Sequence, residues 1–273
     1  MNLSDQTELI QFLRKFGLKP QKGLGQHFLC SEAVIETILN AVKGVKSILE
    51  IGPGPGILTY RLCKVVETVT AIEIDQKVLE ALNYSSPSAK VVLGDALQED
   101  WNVFLEQMPR PRYIVSNMPY YITGSLLQKL IGCATDIDGA VLMMQKEVGD
   151  RVIASAGQSA RGSLSVNLQG LFLIDCLAHV PASAFIPPPK VGSSVLQFMP
   201  RPKLFEDEFF HFVRLGFQQP RKTLVNNFQK TIAREELETV LSSLKISSTV
   251  RAQQLSESQW YELYRCLNCK IIV

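Results

Sequence analysis

Ser47-Ile48-Leu49-Glu50-Ile51-Gly52-Pro53-Gly54-Pro55-Gly56 is a short, mostly apolar run that breaks into alternating glycine and proline. The first five residues have the length and composition of a strand. The glycines lack a Cβ, so the loop backbone can approach a ligand closely. Ile57 to Val65 then reads as a helix, which makes the segment a strand–loop–helix unit. Its spacing is G-x-G-x-G, not the G-x-G-x-x-G of dinucleotide folds. Pro53 and Pro55 also lack the N–H groups that would point at a pyrophosphate. A nucleoside cofactor without phosphate fits this loop better than a dinucleotide; a plain glycine-proline turn is the alternative.

Outward from the loop, strand and helix patterns alternate. Ser31-Glu32 opens a helix on which Val34, Ile35, Ile38, Leu39 and Val42 recur at helical spacing. Val69 to Asp75 reads as a second strand, with a helix from Gln76 to about Leu82. Lys90 to Asp95 reads as a third strand, Tyr113 to Ser116 as a fourth and Ala140 to Met144 as a fifth. A helix from Thr123 to about Gly132 separates the last two. Strands this apolar, separated by helices, predict a parallel sheet covered on both faces. Leu171 to Ile174 and Ser194 to Phe198 are later strand candidates, one of them antiparallel. After Pro200-Arg201-Pro202 the pattern turns to helices only. The expected division is a basic N-terminal arm (1–28), an α/β sheet domain (29–200) and a helical C-terminal domain (201–273).

Ligands on such a sheet bind outside the carboxyl ends of the strands. Glu73 ends the second strand, where a carboxylate can accept both hydroxyls of a ribose. Asp95 ends the third, where it can receive an adenine amino group. Each acid alone reads equally as a cap for the next helix. Asn117-Met118-Pro119-Tyr120 ends the fourth strand. Its Asn oxygen and Met118 carbonyl are two acceptors for one amino group, Pro119 stiffens the turn, and Tyr120 supplies a flat face. Loop, acid, acid and Asn-x-Pro-Tyr, in that order, is the layout of a methyltransferase that uses S-adenosylmethionine.

At 273 residues, 46% hydrophobic and 20% charged, the chain has the composition of a soluble globular protein with an ample core. No run of about eighteen apolar residues and no signal-like N-terminus appears, so a cytoplasmic protein without membrane attachment is expected. The six cysteines are scattered, consistent with reduced thiols. Cys266-Leu267-Asn268-Cys269 has neither a second pair nor a nearby His, which argues against a metal or redox site. The net charge of +2 is modest, but Arg14, Lys15, Lys19, Lys22 and His27 share a glycine-containing stretch with no acid between Glu8 and Glu32. That stretch reads as a mobile basic arm, either solvated or ordered by the phosphates of an RNA. Arg214, Arg221, Lys222, Lys230 and Arg234, with Lys190, Arg201 and Lys203, are open to the same two readings.

Eight segments in order resemble the small-subunit ribosomal RNA adenine dimethyltransferase family, relatives of the erythromycin-resistance methyltransferases. They are Gly25 to Leu29, Glu50 to Gly56, Ile72 to Asp75, Gly94 to Ala96, Asn117 to Thr123, Gln145 to Val148, Phe185 to Val191 and Phe217 to Asn227. The last favours the ribosome-maturation branch over the resistance branch. The resemblance implies a Rossmann-like S-adenosylmethionine-dependent methyltransferase sheet with a small all-helical C-terminal domain. It implies N6,N6-dimethylation of two adjacent adenines in the hairpin near the 3′ end of small-subunit rRNA. The expected partner is that rRNA in an assembling small subunit, met by a monomer, with no metal.

By the same resemblance, Gly52 approaches the methionine portion of the cofactor, Glu73 holds its ribose and Asp95 meets its adenine. His27 and Leu29 close over the site, Asn117 borders cofactor and target, and Tyr120 and Phe185 sandwich the target adenine. Three departures stand out. His27 replaces the usual Asn, Met118 replaces the usual Leu, and Arg161 replaces a frequent aromatic, which implies an altered loop near the site. The chemistry needs no strong base. Acceptors at Asn117 and Met118 hold both N–H bonds of the amine and favour a pyramidal nitrogen, restoring a lone pair that the ring otherwise delocalises.

Overall fold

The computed structural model describes residues 2–20, 25–202 and 207–267. They pack as two compact units: Met1–Gly149 with Leu173–Pro200, and Asp150–Phe172 with Arg201–Val273. The chain opens with α1 (Gln6–Lys15), β1 (Phe28–Leu29) and α2 (Glu32–Ala41). Strand and helix then alternate through β2 (Ser47–Ile51), α3 (Ile57–Leu62), β3 (Thr68–Glu73), α4 (Leu79–Ser85) and β4 (Lys90–Leu93). The alternation continues with α5 (Trp101–Glu106), β5 (Arg112–Asn117), α6 (Thr123–Gly132) and β6 (Gly139–Gln145). Next come α7 (Lys146–Val152), α8 (Ser163–Leu171), β7 (Phe172–Val180), β8 (Phe185–Ile186) and β9 (Ser193–Pro200). The remaining helices are α9 (Asp207–Gly216), α10 (Leu224–Phe228), α11 (Arg234–Ser243) and α12 (Glu257–Leu267).

The sheet has seven strands in the order β4-β3-β2-β5-β6-β9-β7. β4, β3, β2, β5 and β6 are mutually parallel, while β9 runs antiparallel to β6. All five residues of β2 are buried, as a central strand covered on both faces requires. β3 and β4 lie on one side of β2, and β5 and β6 on the other. The strand order therefore reverses between β2 and β5, and a crevice opens at their carboxyl ends. Glu50 pairs in register with Val115, which sets the glycine loop beside Asn117-Met118-Pro119-Tyr120.

The core of this unit joins Ile48, Val69, Val115, Val141 and Val195 of the sheet to Ile35 and Ile38 of α2 and Ile57 and Leu62 of α3. Ser31 takes the N-cap position of α2, but its hydroxyl makes no capping bond. The first part of the stretch expected as a mobile arm is helical. Residues 6–15 form α1, capped by Asp5 accepting from the Glu8 N–H, with Leu9, Phe12 and Leu13 buried in the core. The helical spacing of these three residues explains the difference, because burying an apolar stripe outweighs the solvation of the charges around it. Lys22 of the expected arm lies outside the described residues.

The second unit has an aromatic core. Phe212 stacks on Phe228 at 4.7 Å and meets Trp260 edge-on at 5.8 Å. A Cβ on Gly216 would lie 2.3 Å from the Trp260 ring, so only glycine lets α9 approach this closely. Arg161 is also here and is buried, at the base of the exposed residues 155–160. Its guanidinium donates to the Ala154 carbonyl and the Gln169 amide oxygen and pairs with Glu257 of α12. An aromatic at this position would fill space; Arg161 instead ties residues 154–169 to α12 through directed bonds. Among the described residues no helix is long and apolar enough to cross a membrane. Cys269 of the CxxC lies outside the described residues.

Candidate active site

The crevice at the switch between β2 and β5 is a pocket whose three walls draw on four stretches of sequence. Gln26 to Leu29 form one wall, the loop after β2 with Glu73 and Ile74 forms the second, and Asn117 to Tyr121 form the third. Six of the expected site residues therefore come together: His27, Leu29, Gly52, Glu73, Asn117 and Tyr120.

On the second wall, Gly52, Gly54 and Gly56 all have left-handed backbone, with φ of +67°, +56° and +89°. Such angles are strained for any residue with a Cβ, so the G-x-G-x-G spacing is dictated by the path of the chain. Gly56 faces protein: a Cβ there would come within 2.2 Å of Ser85 Oγ. Gly52 and Gly54 line the pocket. The Gly54 N–H donates to Glu73 Oε2 at 2.9 Å, and the Asp75 N–H donates to Glu73 Oε1 at 2.8 Å. Glu73 thus staples the loop to the end of β3. Burial pushes its carboxyl above the usual range, against the pull of these backbone donors.

Glu50 also lines the pocket, 2% exposed, with Oε2 unpartnered among the described residues. Burial pushes its carboxyl up to about 8, and the Glu73 carboxylate pushes in the same direction. The Thr59 hydroxyl pulls it back, from outside hydrogen-bond geometry, since Thr59 Oγ1 is also unpartnered. In the sequence Glu50 belongs to the strand and to the matching segment Glu50 to Gly56, with no role of its own expected. The signal it carries is an acid inside a mostly apolar strand, where a charge has no place without a ligand or a proton.

On the third wall, the Asn117 Nδ2 donates to the His27 carbonyl at 3.1 Å, which fixes the amide. Oδ1 is left with no hydrogen bond among the described residues. The Met118 N–H donates to the Met143 carbonyl at 2.9 Å, and the Met118 carbonyl accepts none among the described residues. Tyr120 is held at both ends: its hydroxyl shares a 2.8 Å hydrogen bond with Ser193 Oγ, and its ring stacks on His27. Burial pushes its phenol up, so it stays protonated.

Two expected residues are placed differently. Phe185 is 2% exposed and packs in the core, where it does not line the pocket opposite Tyr120. It pairs with Leu29 in the two-stranded ribbon of β1 and β8, whose inward face is apolar. Two-residue segments some 150 residues apart carry no sequence signature of pairing. Asp95 is absent from the pocket lining and caps the turn after β4, with Oδ1 accepting from the Leu97 N–H at 2.9 Å. Tyr121, for which the sequence carries no separate signal, also lines the pocket. Burial raises its phenol, and the Asp95 and Glu73 carboxylates add to the effect. Ile74, 48% exposed at the end of β3, adds an apolar surface to the same wall.

The model of the ribosomal RNA adenine dimethylase family matches residues 17–268. The chain belongs to that family. A protein of Nostoc punctiforme named ribosomal RNA small subunit methyltransferase A is 38% identical over 266 residues, covering 89% of this chain and 93% of the relative. The protein of that name from Rippkaea orientalis is 39% identical, covering 89% and 95%. Among solved structures, a dimethyladenosine transferase from Plasmodium falciparum superposes with a TM-score of 0.77 at 27% identity, covering 90% of this chain and 99% of that one. The 23S rRNA methyltransferase ErmE shares the fold, with a TM-score of 0.66 at 22% identity over 88% and 99%. The α/β Rossmann-like methyltransferase fold with a C-terminal helical region is that of this family.

Proposed function

We propose that this protein dimethylates N6 of two adjacent adenines in the hairpin near the 3′ end of small-subunit rRNA. S-adenosylmethionine is the proposed donor, and the assembling small subunit is the proposed substrate. The observation that carries the reading is the pair of acceptors at Asn117 Oδ1 and the Met118 carbonyl. Both lie on a stiff turn, and neither is spent on a protein donor among the described residues. The curated relatives are named for the small subunit, which favours it over the large.

The residues present suit the donor. Gly52 and Gly54 give a cradle without Cβ atoms, Pro53 and Pro55 withhold phosphate-binding N–H groups, and Glu73 supplies carboxylate lone pairs for a ribose. Ile74, Tyr121 and Asp95 are proposed to bound its adenine, and Leu29 with the main chain of His27 to close over it. S-adenosylmethionine, when bound, supplies an electrophilic sulfonium methyl. The chain itself does the rest. Asn117 Oδ1 and the Met118 carbonyl orient the two N–H bonds of the amine and stabilise the pyramidal nitrogen as positive charge develops. Tyr120 offers its face to a base taken out of its stack, which offsets part of the unstacking. Alignment supplies much of the remaining acceleration. The proton leaves an acidic methylated ammonium, so no dedicated base is required. The proposed setting is the cytoplasm, and the proposed working form a monomer.

Incubating the protein and a tritiated-methyl donor with purified small and large subunits tests the proposal. Label is expected in the small subunit, recovered as N6,N6-dimethyladenosine. Label confined to the large subunit would identify a resistance-type enzyme, and binding without turnover would identify an assembly factor on the same fold.

A further inference from the structure

His27 stands where the family resemblance puts a cofactor contact, yet its ring engages the other half of the pocket. Nδ1 lies 2.7 Å from the Pro187 carbonyl. A carbonyl oxygen only accepts, so Nδ1 carries the proton and that edge of the imidazole is fixed to the loop after β8. One face of the ring stacks on Tyr120, with centroids 5.3 Å apart and planes at 28°. The main-chain carbonyl of the same residue holds the Asn117 amide. His27 therefore touches Asn117, Tyr120 and the proline loop at once.

The spacing decides how the rings work. Inserting a planar base between two rings needs two gaps of about 3.5 Å each, which 5.3 Å does not provide. His27 thus backs Tyr120, and a base must take the opposite face. We propose that the His27 imidazole is a positioning residue for the target adenine, bracing Tyr120 against the Pro187 loop so that the free face of Tyr120 is held at a set angle to Asn117 Oδ1. The proposal rests on the adenine-methylating function above.

The test compares His27→Ala, His27→Phe and His27→Asn with wild type. It reads cofactor affinity by calorimetry, and kcat and KM for methyl transfer to small-subunit particles. Each lost contact is expected to lower kcat about five-fold, so Ala loses roughly 25-fold. Phe, which keeps the stack, and Asn, which keeps a donor, each recover about half of that loss on a logarithmic scale. KM and the cofactor Kd stay within about two-fold throughout. Wild-type kcat in the Ala variant would overturn the proposal. So would a cofactor Kd weakened tenfold in step with kcat, which would make the imidazole a cofactor contact. If Ala does not fold, the Phe and Asn variants carry the same distinction. Wild-type protein that labels neither subunit would instead overturn the function, and this proposal with it, so the two failures are separable.

Discussion

On the β3 side of the pocket, the Glu73 carboxylate accepts N–H groups from both Gly54 and Asp75. On the β5 side, Asn117 Oδ1 and the Met118 carbonyl accept none among the described residues. The proposed cofactor half thus satisfies its own polar groups through backbone geometry, while the proposed target half keeps acceptors in reserve. The difference follows from what each half must do. A cofactor wall has to be the same before and after binding, whereas acceptors that act on a transition state gain most when no protein donor competes for them. The exception on the cofactor side is Glu50, whose Oε2 is buried and unpartnered.

The contrast can be broken most directly at Asn117. Asn117→Ala is expected to lower kcat about 10³-fold, the scale of removing one group aimed at developing charge. Cofactor affinity should stay within a few-fold. A parallel loss of cofactor affinity would show that the two halves are not separable.

Glu50 gives the next largest effect. Its carboxyl titrates near 8 in the folded chain and near 4.5 in the unfolded one, so the folded state binds the proton more tightly. Stability tied to that proton is fully present below about 4.5 and is lost as pH rises towards about 8. Glu50→Gln has no such proton. Its stability advantage over wild type is therefore expected to grow by about 3–4 kcal/mol between pH 5 and 8. Chemical unfolding at both pH values checks this, and a pH-independent difference would show that Glu50 is already ionised or paired.

These two halves were not equally legible in the sequence. The glycine loop was, because three left-handed positions in five residues admit little except glycine, and the residue type records the backbone angle directly. Alternating apolar strands and helices likewise marked the five parallel strands along the chain and one later antiparallel strand, while their order in the sheet left no mark in the residue pattern. The target half was legible as letters but not as geometry. That Asn117 spends its NH₂ on the His27 carbonyl depends on β1, a two-residue strand whose partner β8 lies far along the chain. The stacking role of Phe185 came from the family resemblance, and the ribbon register with its burial turns it into the core instead. In α1 the apolar stripe is only three residues, Leu9, Phe12 and Leu13, and the basic residues that follow it argue for a solvated arm.

A smaller effect sharpens the cofactor side. Gly54→Ala places a Cβ at φ +56° and 3.3 Å from Phe28 Cε1. The left-handed angle alone costs about 1–2 kcal/mol for alanine. Relief of that strain by a shift of the loop would lengthen the bond from the Gly54 N–H to Glu73. Cofactor binding should weaken about tenfold while kcat at saturating cofactor changes little; a loss confined to kcat would contradict the assignment of this wall.

The smallest expected effect lies on the target side, at the Tyr120 hydroxyl. Tyr120→Phe removes the 2.8 Å hydrogen bond to Ser193 Oγ but leaves the stack on His27 intact. One such bond contributes about 1 kcal/mol, so kcat should fall about five-fold with cofactor affinity unchanged. The buried Ser193 hydroxyl, 1% exposed, is left without its Tyr120 partner and adds to the loss. Tyr120→Phe combined with Ser193→Ala should therefore recover part of the stability lost in the single variant, because both ends of the bond are then apolar. It should not recover kcat, since the ring is still held at one end only. Recovery of both together would mean that the hydroxyl serves folding and leaves the angle of the ring to His27 alone.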